Sequence, residues 1–493
     1  MRRRRRAILG QHTQDRPPTR LGLVGLIGRG AACTAALLVS TMIIAPSVLF
    51  GGGTAGVDGQ LTGRLHELGY DGRTESTLTQ RLGRPIDPRL ANIGRLLWFD
   101  TITGLNGDNT CAGCHSPTNG FGDSQPIAVG IENNRIVGPD RSGPRNMRRA
   151  PMVLNTAFFP ALMWNGRFSS VSGDPFDGSS GFLFPLPEGR SLSGEPHLLV
   201  AQAFIPPTER TEVAGFAFPG DNDAIRAEVV RRLNAVPGYR RLFGHVFPAA
   251  RGDGEITYEM FARAIAEFEF TLTFADAPID QYARGARTAL DAAEKRGALL
   301  FFGKAGCVGC HAVSGTSNEM FTDFREHAIA VPQLVPRLTN NQFDGPAANE
   351  DFGREDFTGD RGDRYAFRTP SLRNVAVEAA FMHDGAFTSL AAAIRHHLDA
   401  TTSLLAYDPE AQGLPADLAG PTGPRAPLLA ALDPSLAKPI SLTDAEFGDL
   451  VAFVREGLLD PRATARHLRK LVPKHLPSGS RPLTFEFGES PSP

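Results

Sequence analysis

Cys111-Ala112-Gly113-Cys114-His115 and Cys307-Val308-Gly309-Cys310-His311 are two copies of one pattern, and together they use four of the five cysteines in a chain of 493 residues. With five Cys and twelve His, chance supplies roughly 0.001 copies of Cys-x-x-Cys-His. The spacing has a chemical meaning. Two thiols add to the two vinyl groups of a haem, and the adjacent His becomes an iron ligand. Paired Cys-x-x-Cys units also suit a Cys₄ zinc site, but zinc does not call for a His directly after each pair. A thioredoxin-like redox pair leaves that His equally unexplained. The motifs predict two covalently bound c-type haems, one on Cys111, Cys114 and His115, the other on Cys307, Cys310 and His311.

The flanks repeat as well. Gly94-Arg-Leu-Leu-Trp-Phe-Asp100 precedes the first motif and Gly297-Ala-Leu-Leu-Phe-Phe-Gly303 the second. In each, an apolar helical stretch leads into a turn and then the Cys pair. Each unit closes on an amphipathic helix. Over residues 259–274 Phe261, Ile265, Phe268 and Leu272 recur every three or four positions. Over residues 444–457 Phe447, Leu450, Val451 and Val454 do so, after an N-terminal signal at Ser441-Leu-Thr-Asp444. The fold class is mainly α: two cytochrome-c-like haem domains with long loops. Residues 85–285 form the first and 286–470 the second, joined near Ala277-Pro278 and Gly285. Residues 165–190 and 413–427 read as loops, and 471–493 as a weakly structured tail. With 53 Gly and 38 Pro, about a fifth of the chain, a coiled coil or helical repeat array is excluded.

Residues 1–55 form a basic N-terminus followed by a transmembrane anchor or signal segment. Arg2 to Arg6 are an unbroken basic run, and residues 31–50 carry no charge. About twenty such residues cross a bilayer as a helix, and the basic flank stays in the cytoplasm. The rest of the chain is then periplasmic, tied to the inner membrane by residues 31–50 if these are uncleaved. An anchor is favoured over a signal, because the apolar run is long and no Ala-x-Ala site precedes residues 51–53. A lipid anchor on Cys33 is disfavoured, since Gly30-Ala31-Ala32 lacks the usual Leu or Val. The formal net charge of −2 hides an asymmetry. Residues 1–30 hold eight Arg and one acid, leaving 43 basic against 52 acidic residues elsewhere. That balance excludes a nucleic-acid binder and suits a basic protein partner.

Beyond the haem motifs, Phe367-Arg-Thr-Pro-Ser-Leu-Arg-Asn-Val375, Phe381-Met-His-Asp-Gly385, Ala150-Pro-Met-Val-Leu-Asn155 and Trp164-Asn-Gly-Arg167 stand in this chain. With them, residues 85–460 resemble the bacterial di-haem cytochrome c peroxidase family, its MauG-type branch included. The resemblance implies that the N-terminal haem meets hydrogen peroxide and that the C-terminal haem relays or stores electrons. Many relatives close the first haem with a His about sixteen residues beyond the motif. Here that region reads Gly130-Ile131-Glu132-Asn133, and no His occurs between His115 and His197. The first haem is therefore expected to stand open, as in the MauG-type branch. Gln202, Pro206 and Glu212 reproduce the spacing of that branch's distal residues. Glu212 is the implied acid–base group, with Glu209 as runner-up. Trp164 matches the Trp between the haems, whereas Trp98 reads as a core aromatic. In relatives the second haem's distal ligand, Met or Tyr, lies fourteen residues beyond the His of the His-x-Gly signature; here that count leads from His383 to His397, a departure from both branches, with Met382 as the alternative. On a helix begun by Thr388 or Ser389, Leu390, Ile394 and His397 share a face, and His396 turns toward solvent. Relatives also hold a calcium ion through an Asn and two carbonyls. The carbonyls map to Arg368 and Pro370. The Asn position carries Arg149, so Asn146 would have to serve.

The leading reading is an enzyme, a periplasmic peroxidase that reduces hydrogen peroxide with electrons from a small cytochrome c or cupredoxin. A second is oxidation of a partner protein or an organic substrate at the same haems. A third is a non-catalytic di-haem electron-transfer cytochrome. One scaffold supports all three, so the site has to decide between them.

Overall fold

Helix Pro88–Phe99 starts where Asp87 accepts from the Arg89 and Leu90 amides and Pro88 presets the first turn. Leu90, Ile93 and Leu97 lie on its buried face. It packs across Tyr258–Phe270, whose Phe261, Ile265 and Phe268 are buried. That helix ends at Phe270, short of the expected 274, and Leu272 is buried in the turn beyond it. The second half repeats the arrangement. Ala292–Phe301 opens with a reciprocal cap between Asp291 and Glu294 and packs across Asp444–Ala452. Thr443, inside the expected 441–444 signal, caps the latter by accepting from the Glu446 amide. A Cβ on Gly94 would lie 1.8 Å from the Ala264 carbonyl oxygen, and one on Gly297 would lie 2.0 Å from that of Asp449. In both halves, only glycine lets the crossing helices approach this closely.

The computed structural model describes residues 54–184 and 194–488. The basic N-terminus and the apolar 31–50 segment lie outside the described residues, as does part of the 165–190 stretch. Among the described residues no helix is long and apolar enough to cross a membrane.

The duplication extends beyond the helices. Asn155 and Asn374 both adopt left-handed backbone, with φ of 66° and 62°, and so do Met163 and Met382, with φ of 67° and 75°. Both asparagine amides donate to the Phe274 carbonyl, at 3.1 and 2.9 Å. By the same offset, Trp164-Asn-Gly166 in the first half is the counterpart of His383-Asp-Gly385 in the second.

Buried apolar side chains form a large cluster around Leu97, Phe121, Phe158, Phe261 and Phe268. A second surrounds Leu65, Tyr282, Phe301, Phe321, Leu450 and Phe453. At the expected join, Ala277-Pro278 opens the helix Pro278–Ala283, which packs into the second cluster. Its Asp280 carboxylate takes both arms of Arg373 at 2.8 and 2.9 Å and the Tyr70 hydroxyl at 2.6 Å. Charges this deeply buried persist only when fully hydrogen-bonded.

Among the described residues, strands are few and two or three residues long. The 165–190 stretch, read as a loop, holds two short strands, Phe168–Ser170 and Phe182–Leu183, which join Ala161–Leu162 just before it in an antiparallel sheet, with Ala161 opposite Ser169 and Ser169 opposite Leu183. Alternation over so few residues is too short to read from sequence. The tail has little regular structure, yet it is docked. Thr484–Phe485 pairs in parallel with Ile136–Val137, and the Ser478 hydroxyl donates to Asp100 at 2.8 Å.

Candidate functional site

A cavity of about 610 Å³ opens beside the first motif, walled by Cys111, Cys114 and His115. The four motif cysteines are free thiols. His115 Nδ1 donates to the Pro151 carbonyl at 3.0 Å, which leaves Nε2 as the nitrogen for a metal. Burial pushes the imidazole down to about 4, so it is neutral and able to ligate near pH 7. These features fit a covalently held haem, which Cys111, Cys114 and His115 would hold.

The second motif shows the same preparation. His311 Nδ1 donates to the Phe321 carbonyl at 3.0 Å, and His397 Nδ1 to the Ala393 carbonyl at 2.8 Å. Burial, then the neighbouring His397, pushes His311 down to about 4. The two ring centroids are 6.2 Å apart. Two imidazoles on opposite sides of one metal, with bonds of about 2 Å and ring radii of about 1.1 Å, stand about 6.2 Å apart by centroid. That spacing is compatible with a haem iron, which His311 and His397 would hold. Accordingly, mass spectrometry of protein exported to the periplasm is expected to show two haem additions that survive acid–acetone extraction. Changing Cys307 and Cys310 to Ala should remove one of them, and a bare polypeptide mass in the parent would refute the assignment.

His396 differs from expectation. It does not face solvent: it is fully buried, with Nδ1 against the Ser403 hydroxyl at 3.0 Å and Nε2 against the Ile329 carbonyl at 2.8 Å. The helix Leu390–Leu398 is covered on two sides. Leu390 and Ile394 face the second cluster, while Ala393 and Met382 pack into a third around Val331, Leu334 and Phe387. His396 packs against Phe387 on that side, the rings tilted and 5.0 Å apart by centroid. Neither expected hydroxyl caps the helix by its side chain. Ser389 makes no cap bond, and Thr388 donates to the Gln412 carbonyl.

Gln202, Pro206, Glu209 and Glu212 line the same cavity as His115, and no other His lines it among the described residues. Gln202 closes the helix Leu198–Gln202, Pro206 opens the turn Pro206–Thr208, and Glu212 lies on the wide turn Arg210–Ala214. Two contacts hold that turn against the motif. The buried Asn109 amide donates to the Glu212 carbonyl at 2.8 Å and is itself held by Arg141 at 2.9 Å. The Ile131 amide donates to the Thr211 carbonyl at 3.2 Å, where a Cβ on Gly130 would come within 2.0 Å. The 130–133 region thus meets the site through backbone, and Glu132 is exposed. Glu212 is pushed up to about 7, first by burial and then by the Glu209 carboxylate, with the Arg167 guanidinium opposing.

Trp164 is buried between residues of both halves. Its Nε1 donates to the Arg149 carbonyl at 2.9 Å, and its carbonyl accepts from the Arg368 amide at 2.6 Å. Trp98 packs against Phe121 and Phe268 with its ring 5.9 Å from His115. The residues named for calcium are engaged as follows. Asn146 Oδ1 already accepts from Asn341 at 3.4 Å. Arg368 and Asn146 line the cavity but Pro370 does not, and the Arg368 guanidinium, donating to the Met163 and Thr369 carbonyls, puts a positive charge there.

Sequence reasoning passed over three residues. Asn109 steers the Glu212 turn, and no motif marks it. Arg167 faces Glu212 with its Nε unpartnered, and it closed the quoted Trp164-Asn-Gly-Arg167 string. Glu269 lines the cavity, fully enclosed, with Oε2 unpartnered and its carboxyl pushed up to about 8 by burial. A charge inside the apolar 261–272 stripe was its visible signal.

Residues 88–288 match the family model for di-haem cytochrome c peroxidase. Over 316 residues the chain is 33% identical to methylamine utilization protein MauG of Methylorubrum extorquens, across 64% of this chain and 70% of that protein. It is 29% identical over 313 residues to cytochrome c551 peroxidase of Nitrosomonas europaea, across 63% of this chain and 73% of that one. The fold is shared with the crystal structure of a MauG-like protein associated with microbial copper homeostasis, at TM-score 0.54 and 24% identity, covering 77% of this chain and 91% of that chain. The diheme peroxidase BthA from Burkholderia thailandensis superposes at TM-score 0.52 and 24% identity, covering 77% and 88%.

Proposed function

The chain belongs to the di-haem cytochrome c peroxidase family, and from that premise we propose that it reduces hydrogen peroxide in the periplasm with electrons from a small redox protein. One observation carries this reading: His115 and the Gln202, Pro206 and Glu212 set line a single cavity that, among the described residues, holds no second His. Residues 85–285 are the half that receives peroxide, and 286–470 the half that receives electrons. Haem iron, when bound, supplies the electrons that split the O–O bond, so that peroxide, two electrons and two protons give two waters. The chain's own residues manage the protons. Glu212 as carboxylate takes the proton from the oxygen nearer His115's side of the site and returns it to the departing oxygen. Gln202 orients the peroxide by its amide, and Pro206, lacking an N–H, offers no competing donor. Trp164 lies on the route by which electrons cross between the halves, and the acidic surface suits a basic cytochrome c or cupredoxin.

The open cavity also suits a second reading, oxidation of a partner protein or an organic substrate. Steady-state assays with peroxide and a reduced small cytochrome c or cupredoxin separate the two. The expected result is sustained turnover with two donor equivalents oxidised per peroxide. Reaction with peroxide but no turnover with either donor moves the assignment to the second reading. A ferric spectrum without any high-spin haem, together with no reaction with peroxide, leaves only an electron-transfer cytochrome.

A further inference from the structure

Arg149 is a buried cation that joins the two halves. Its Nη2 donates to Glu378 at 2.6 Å and to the Asp123 carbonyl at 3.1 Å. Its amide donates to the His383 carbonyl at 2.9 Å, and its carbonyl accepts from Trp164 Nε1 at 2.9 Å. Arg149 and Glu378 are 3% and 10% exposed at the side chain, and the Asp123 carboxylate, fully buried, accepts from the Ala150 and Gln125 amides. There is no slack around the pair, because a Cβ on Gly122 would fall within 2.9 Å of both Glu378 oxygens. Without its guanidinium, this place would be two carboxylates and a backbone carbonyl, the hard oxygen donors that a calcium ion takes. With it, one of the two negative charges is already met, and a divalent ion would face a fixed positive group in a poorly screened setting.

We propose that Arg149 is a built-in cation in an oxygen-lined site between the halves, so that this protein holds Trp164 and His383 in one network without a divalent metal. The inference rests on the two-haem reading of the halves, but its test needs no turnover and can fail separately. Calorimetric titration of the chelator-treated holoprotein with calcium chloride is expected to show no site in the parent, and its melting temperature should not respond to calcium. The R149N holoprotein should take up one calcium ion per chain and melt higher with it, whereas R149K, which keeps a cation, should stay indifferent. A merely structural role for Arg149 would not create a calcium dependence. Stoichiometric calcium binding by the parent, or an R149N protein that calcium neither binds nor helps to fold, overturns the proposal.

Discussion

Replacing Glu212 by Gln is expected to slow the bimolecular reaction with hydrogen peroxide by about 10²–10⁴-fold, with both haems still attached. Gln keeps the volume of Glu but cannot carry a proton from one peroxide oxygen to the other. The position supports that role. Glu212 lines the cavity of His115 on a turn fixed by Asn109 and by the backbone of 130–131. Burial and Glu209 lift its carboxyl to about 7, which sets the sign of the pH dependence. A group raised to that value is protonated below it and cannot accept the peroxide's proton. The parent's rate should therefore rise as pH climbs through about 7, and the E212Q rate should be flat there. Stopped-flow mixing across that range is the measurement. Equal rates in parent and variant, or a slope that persists in E212Q, remove Glu212 from the mechanism and make Glu209 the next residue to change.

What the sequence made legible follows the range of the interactions. Helix Pro88–Phe99 was readable because its start signal and its apolar spacing are local. So were the paired glycines at 94 and 297, as positions, though not their reason: the close crossings appear only once the partner helices are in place. Gln202, Pro206 and Glu212 could be named through the resemblance, whose distal residues share their spacing, but not the contact that holds the Glu212 turn, since Asn109 and Arg141 reach across loops with no periodicity. His396 was misread because one helical wheel knows a single buried face, and this helix has two. Arg149 and Glu378, 229 positions apart, carry no joint signal in a lone sequence. The short sheet at 161–183 was hidden for a plainer reason, having strands of two or three residues.

His397→Ala should convert the low-spin haem of the second half to high spin while the first half's signal stays unchanged. In the parent, electron paramagnetic resonance is expected to show one high-spin haem and one low-spin haem with two imidazole ligands. The reasoning is geometric before it is spectroscopic. His397 has one nitrogen tied to its own helix at the Ala393 carbonyl, and its ring stands 6.2 Å from that of His311. His396, the adjacent alternative, has both nitrogens occupied and could ligate only by breaking two buried hydrogen bonds, each costly to leave unmade. Met382 is the other contender. It packs toward the third cluster beside Ile127, Val331 and Phe387 and not into the second, where Leu390 and Ile394 of the His397 face lie. Imidazole favours ferric iron more than a thioether does, so the second haem should also be harder to reduce than a His–Met haem. A His–Met charge-transfer band in the parent, or a low-spin signal that survives in H397A, assigns the ligand to Met382 instead. Loss of the low-spin signal with both haems still covalently attached leaves His397 as the group that closes the second iron, while the first stays open to peroxide.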